Sequence, residues 1–293
     1  MKKILLCALA LFLVGCGRDT VETESAETIP VSSPAETEPV VYVSLGDSIA
    51  RGYGLSDIPG ERFSTVAGQI WEESVPVEIY NYGVDGQTST ELIAMLEDGM
   101  APALADADIV TVSIGANNVL GPAFSFLYDY YIYLYADPPQ YTAREIAELF
   151  RIFTAEADSG CAQLEEDMPL LLKTIRGINP DCQILFLTLY NPYEAVNTVF
   201  DIDGLPVVLS ALSDTYVTRI NDIILTGTAE TENLSLVDVY SAFKGRGQEL
   251  LYAVTPGDFP SSEMDMAYMD PHPNAKGHLV IGKLTAGTFS PGK

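Results

Sequence analysis

Along the chain, two kinds of segment alternate. Short runs rich in β-branched and aromatic residues are separated by longer stretches with apolar residues every three or four positions. The short runs are Val40 to Leu45, Val77 to Tyr82, Ile109 to Ile114, Gln183 to Leu189 and Leu234 to Val239. Each is apolar at most positions, the pattern of a strand covered on both faces. The longer stretches, around Phe63 to Glu73, Ser89 to Leu96, Leu164 to Ile178, Val208 to Leu225 and His278 to Leu284, read as helices. Strands that alternate with helices build a parallel sheet, so the pattern predicts an α/β fold, a three-layer α/β/α sandwich around five parallel strands. In such a sheet ligands bind beyond the carboxyl ends of the strands, and the residues directly after each strand are the first place to look for chemistry.

Two regions depart from this rhythm. The connection from about Val119 to Pro180 is far longer than the few residues usual between a strand and a helix, and must hold structure of its own. It carries Phe124, Phe126, Tyr128, Tyr130, Tyr131, Tyr133, Tyr135 and Tyr141. Because it leaves from the carboxyl end of the third strand, it is expected to form a wall or lid over a site there. Packing of the rings into a small core of the insertion is their other expected use. Ahead of the first strand, Gly17 to about Pro39 is rich in Thr, Glu, Ser and Pro and too poor in large apolar residues to fold, so it reads as a tether to a single domain spanning residues 40–293.

The first residues have the arrangement of a secretory signal: Met1-Lys2-Lys3, an apolar run from Ile4 to Val14, then Gly15-Cys16. The run is shorter than the roughly 20 residues a spanning helix needs. Leu13-Val14-Gly15-Cys16 resembles the lipobox of bacterial lipoproteins. That resemblance implies removal of residues 1–15 and acylation of Cys16. The mature protein would then be exported and held to the cell membrane, outside the cytoplasm, only by its lipid.

Composition narrows the choices. A chain of 293 residues with 47% hydrophobic side chains can bury a full core in one domain. Fifteen lysines and arginines against 41 aspartates and glutamates give a net charge of −26, which opposes binding to phosphate backbones and sets nucleic acid aside as a partner. The acidic excess reads as a solvated surface. Of the four cysteines, Cys7 lies in the leader and Cys16 is the lipid acceptor, leaving Cys161 and Cys182. Their spacing leaves a disulfide open. There is no Cys-x-x-Cys pair and no cysteine-histidine cluster with zinc spacing, and neither a metal nor another cofactor is expected.

Chemistry gathers at the strand ends. After the first strand comes Gly46-Asp47-Ser48, which exposes a serine at a strand-to-helix turn beside backbone N–H groups. A helix-capping serine is the other common use of such a position. After the second strand comes Asn81-Tyr82-Gly83-Val84-Asp85-Gly86-Gln87-Thr88, and after the third Gly115-Ala116-Asn117-Asn118. Near the carboxyl terminus, Asp270-Pro271-His272-Pro273-Asn274-Ala275-Lys276-Gly277-His278 contains both histidines of the chain. A serine hydroxyl needs a base to take its proton during attack, and histidine is the commonest one, so the choice lies between His272 and His278. A glycine amide and an asparagine side chain can donate to the oxyanion of a tetrahedral intermediate. The Gly-x-Ser-x-Gly elbow, the phosphate-binding Walker loop and the His-Glu-x-x-His zinc motif are absent from the sequence.

These blocks, in this order, resemble the SGNH hydrolases, also called the GDSL esterase and lipase family, over about Val40 to Leu284. The resemblance implies a flavodoxin-like sandwich and cofactor-free hydrolysis of carboxylic esters. It also implies Ser48 as nucleophile, His272 as base, and an oxyanion hole formed by the Ser48 amide, Gly86 and Asn117. Two positions depart from the family pattern. Asn118 stands where the third block usually has aspartate, and Met269 stands three residues before His272, where the family's acidic residue usually lies.

Asp270 is only two residues before the histidine. Pro271 biases it toward extended backbone, in which residues two apart share a face, so its carboxylate can reach the imidazole Nδ1. Asp265 or a backbone carbonyl are the alternatives for orienting the ring. His278 is expected to serve the start of the last helix, and Asp47 to fix its turn by hydrogen bonding. The substrate expected is a lipid acyl ester or a carbohydrate O-acyl or O-acetyl ester. The rival expectation is a catalytically weak or inactive surface protein of the same fold that binds glycans or lipids.

Overall fold

The computed structural model describes residues 38–253 and 269–291. The leader, Cys16, nearly all of the tether and Asp265 lie outside the described residues. The chain forms β1 (Val40–Gly46), β2 (Val77–Gly83), β3 (Ile109–Ser113), β4 (Gln183–Leu187), a hairpin of β5 (Val199–Ile202) and β6 (Leu205–Val208), and β7 (Leu234–Val237). Five of these pair in parallel in the order β2-β1-β3-β4-β7. The helices are α1 (Ser48–Arg51), α2 (Ile58–Glu61), α3 (Phe63–Glu72), α4 (Ser89–Glu97), α5 (Asn117–Tyr135), α6 (Ala143–Ile178), α7 (Leu209–Thr228), α8 (Val239–Phe243), α9 (Gly247–Leu250) and α10 (Ala275–Thr288). Among the described residues no helix is long and apolar enough to cross a membrane.

Side chains of a strand point alternately to its two faces, and here both sets are apolar. Val110, Val112, Ile184 and Phe186 face one core with Leu92 of α4, Leu164 and Leu171 of α6, and Ile220 and Ile224 of α7. Their neighbours Ile109, Leu185 and Leu187 face the other, with Ile49 of α1, Phe63 and Trp71 of α3, and Ile281 of α10. Each such buried side chain contributes on the order of 1.5–3 kcal/mol, and burial on both sides explains why the strands read as nearly continuous apolar runs. The result is the expected three-layer sandwich.

The long connection between β3 and β4 is a pair of helices. The stretch expected over Leu164 to Ile178 is the last part of α6, a helix of 36 residues that is about 54 Å long. Its start is set by Thr142, whose hydroxyl accepts from the Glu145 amide while the Glu145 carboxylate accepts from the Thr142 amide. Such a cap is worth about 1 kcal/mol. Where α6 crosses the start of α5 it carries Gly160, and a Cβ there would lie 1.8 Å from the Asn118 carbonyl oxygen. Any larger residue would push the two helices apart. Beyond this crossing, Phe126 and Tyr130 of α5, Phe150 and Phe153 of α6 and Phe200 of β5 pack ring against ring, with centroids 4.8–5.6 Å apart in four of the pairs. Of the eight rings named from sequence, Phe126 and Tyr130 thus build a core for the insertion and Tyr133 and Tyr141 pack against it, whereas Phe124 and Tyr128 are exposed.

The β5–β6 hairpin was not among the expected elements. Its two-residue turn is Asp203-Gly204, both with positive φ (53° and 82°), as tight hairpins require. Cys161 and Cys182 are both buried and unpaired, so the disulfide that the sequence leaves open does not form.

Candidate active site

The chain leaves β1 to build β2 on one side of it, then returns to build β3 on the other. The carboxyl ends of these three strands therefore border the crevice at which the strand order reverses. Ser48 opens α1 directly after β1, Gly86 lies in the turn after β2, and Asn117 opens α5 after β3. The topology alone brings the three sequence blocks to one edge of the sheet.

The fourth block is brought in by the segment before α10. The His272 Nε2 lies 2.8 Å from the Ser48 Oγ, and its Nδ1 lies 2.5 Å from Asp270 Oδ1. The same carboxylate oxygen accepts from the His272 amide at 3.0 Å, closing a two-residue turn that fixes the acid against the ring. Asp270 thus reaches the imidazole from two positions away, and Met269, at the family's usual acidic position, is buried. Burial works against the Asp270 carboxylate, but the hydrogen bonds from the His272 ring and amide outweigh it and hold its pKa below the ordinary value.

Several contacts clamp this segment. The Tyr190 hydroxyl donates to the Pro271 carbonyl at 2.9 Å, the Tyr252 amide donates to the His272 carbonyl, and Asn274 caps α10 through the Lys276 and Gly277 amides. The Tyr53 ring lies against the imidazole, centroids 4.5 Å apart. Neither Tyr53 nor Tyr190 was assigned a role from sequence. Tyr53 sits in the Gly52-Tyr53-Gly54 turn of the serine block, whereas the Tyr190–Pro271 contact spans 81 residues and leaves no local signal.

Asn117 and Ser48 line the same cavity as His272. Asn117 Nδ2 donates one hydrogen to the Gln87 carbonyl at 3.0 Å, which leaves its second N–H free. That bond also ties down the turn holding Gly86, whose φ is +76° and whose side-chain side is open space. Gly86 thus joins the site one residue removed, through its neighbour. Ser48 is the first residue of α1, where an amide has no intrahelical acceptor. Arg51 pairs with Asp85, and Asn81 Nδ2 donates to the Ala50 carbonyl, which holds α1 against the same turn.

Asn118 has a structural role. Its side chain exchanges hydrogen bonds with the amide and hydroxyl of Ser89, and that hydroxyl continues to buried Asp167 of α6 at 2.7 Å. Asparagine supplies both the donor and the acceptor that this bridge uses.

Two buried titratable groups flank the site. Asp47 Oδ1 caps α1 by accepting from the Ile49 amide at 2.9 Å, as expected, but Oδ2 has no partner, and burial pushes the carboxyl up to about 7. His278 is fully buried, accepts from the Phe63 amide at 3.3 Å and stacks on the Phe63 ring. Burial, then the charge of His272, lowers its pKa to about 3. It is therefore a structural residue, and among the described residues no three histidine, cysteine or acidic side chains meet as a metal site.

These shifts have opposite signs in stability. His278 stays neutral when folded, so its contribution is complete above about 6.5 and is lost as pH falls toward 3. Asp47 keeps a proton that the unfolded chain releases, so its contribution is present below 3.8 and is lost as pH rises toward 7. Between pH 3.8 and 6.5 the two oppose each other. In His278→Asn, which retains an acceptor for Phe63, the Asp47 slope stands alone, and stability should fall with rising pH by about 1 kcal/mol per unit relative to the parent. Urea unfolding at several pH values reads this directly. Parallel pH curves for variant and parent would remove His278 from the account.

From the serine a partly open cavity runs between α5, α7 and the hairpin. Its walls are almost wholly apolar, and three rings of the insertion core, Phe126, Phe153 and Phe200, face it. The insertion is thus both self-packing and a wall of the site.

Comparison with known proteins agrees with this architecture. The sequence profile described as the GDSL-like Lipase/Acylhydrolase family matches residues 44–280. No curated protein matches the chain. Among solved structures, a lipase from a goat rumen metagenome is 19% identical, with 85% of this chain and 98% of that one covered and a TM-score of 0.58. A phospholipase A1 from Streptomyces albidoflavus is 15% identical, covering 86% and 100%, also at 0.58. An extracellular lipase from Streptomyces rimosus is 14% identical, covering 85% and 100%, at 0.56. At such identities the likeness to these structures is one of fold.

Proposed function

Because the chain belongs to the GDSL-like lipase and acylhydrolase family, we propose that it hydrolyses carboxylic esters through an acyl-enzyme formed on Ser48. One observation carries this reading: the unbroken line of hydrogen bonds from Ser48 Oγ through the His272 ring to Asp270. In the first step Oγ attacks the ester carbonyl while His272 Nε2 takes its proton. The carbonyl oxygen becomes negative and is met by the Ser48 amide and the free N–H of Asn117, with the Gly86 amide as the third donor that the family resemblance implies. His272 returns the proton to the departing alcohol as the carbon–oxygen bond breaks, and water then attacks the acyl-enzyme with His272 again as base. Asp270 holds the ring in the tautomer that leaves Nε2 free to accept. The reading asks for no metal or cofactor at any step.

A fluorophosphonate probe tests this without knowledge of the substrate. It should label Ser48 stoichiometrically, and labelling should disappear in His272→Ala, because an unassisted serine hydroxyl is a weak nucleophile. A folded protein that the probe leaves unmodified would rule the mechanism out. The rival reading of a non-catalytic glycan- or lipid-binding protein draws on the absence of an acid at position 269, and Asp270 at 2.5 Å from Nδ1 weakens it. Export and a lipid anchor at Cys16 belong to the same proposal and are supported by residues 1–16 alone. The substrate is then an ester met outside the cytoplasm.

A further inference from the structure

The cavity that starts at Ser48 is lined in part by rings unconnected with the reaction itself. Phe126 comes from α5, Phe153 from α6 and Phe200 from β5, and the three rings meet with centroids 5.6 Å apart on either side of Phe126. All three are buried and all three face the cavity. Phe126 lies nine residues beyond Asn117 on one helix, which sets it about 13 Å farther along the axis. A zigzag of carbon–carbon bonds of ~1.5 Å covers that distance in roughly ten carbons.

The acyl group, not the alcohol, needs such a space. It stays bonded to Oγ until water arrives, whereas the alcohol takes the proton from His272 and departs. An acetyl group would leave these walls bare, and a sugar would meet mostly carbon along them, the hydroxyls of Tyr193, Ser213 and Tyr216 being the exceptions.

We propose that this cavity binds a straight acyl chain of medium length, about eight to ten carbons, and that Phe126, Phe153 and Phe200 set the length it accepts. The inference rests on the esterase reading and specifies its substrate. Because two of the three rings lie on the β3–β4 insertion and the third on the hairpin, chain-length selection is located in elements separate from the reacting groups.

The test uses p-nitrophenyl esters from acetate to palmitate with the full chain. Burial of apolar carbon predicts that kcat/KM rises up to about fourfold per methylene as far as octanoate or decanoate, and falls by palmitate. Phe200→Ala opens the end of the cavity and should move the optimum to longer chains. Ala123→Phe fills the cavity from α5 and should lower the octanoate-to-acetate ratio about tenfold or more. Fluorophosphonate labelling of Ser48 in each variant shows that the site is still assembled. A labelled enzyme that prefers acetate overturns the inference and leaves the esterase reading standing. A medium-chain optimum unmoved by both variants overturns the role of the rings. Absence of both labelling and hydrolysis ends the two readings together.

Discussion

Replacing Ser48 with alanine is expected to lower kcat/KM for a soluble aryl ester by roughly 10⁵–10⁶-fold, the scale at which loss of a serine nucleophile acts in a triad. The fold should be unaffected. Ser48 Oγ has His272 Nε2 as its hydrogen-bonding partner, and His272 is held independently by Asp270 and by the clamped backbone of its own segment. Removing one partly buried hydroxyl should change stability by about 1 kcal/mol or less. Steady-state kinetics paired with a urea melt separates the two effects. Activity within tenfold of the parent in a normally folded variant would mean that another group attacks the ester.

Asp270→Asn is expected to cost about 10⁴-fold in kcat, the loss seen when the acid of a serine triad becomes an amide. The reason lies in the tautomer. A carboxylate accepts from Nδ1–H and so leaves Nε2 bare to receive the serine proton, whereas an amide can donate to Nδ1 and place the ring proton on Nε2, facing Ser48. The lowered pKa of Asp270 keeps the acid ionised across the ordinary working range. Loss of less than tenfold in kcat would transfer the orienting role to another group, with Asp265 and the backbone as the candidates left by the sequence.

Most of the fold was legible because its signals are local. β1, β2 and β3 fall within one residue of the expected runs: β1 and β3 are largely buried on both faces, β2 is a partly buried edge strand, and each ends at a glycine or a turn. α6 was expected only from Leu164 onward. Its first half, from Ala143, is rich in charge and packs through a few residues such as Ile146 and Phe153, a pattern too sparse to stand out by hydrophobicity, although the Thr142–Glu145 capping pair does mark its start. The hairpin did carry a readable sign in Asp203-Gly204 between two apolar runs. At the site, Ser48, His272 and Asp270 could be named because each sits in a compact block. The Tyr190 clamp on Pro271, the Asn118–Ser89–Asp167 bridge and the cavity itself depend on which helices become neighbours, and single-chain patterns do not record that.

The hydrogen bond between Ser48 and His272 joins residues 224 positions apart. Every strand of the sheet is complete by Val237, yet the base arrives only with the segment leading into the final helix. On the esterase reading, a nascent chain therefore carries its nucleophile well before it carries the base, and the core on one face of the sheet is completed only by α10. The lag from the last strand to the imidazole is a few seconds at ordinary translation speeds of about 5–20 residues per second. Under that reading the serine stays unactivated for as long as residues 238–272 have yet to be added.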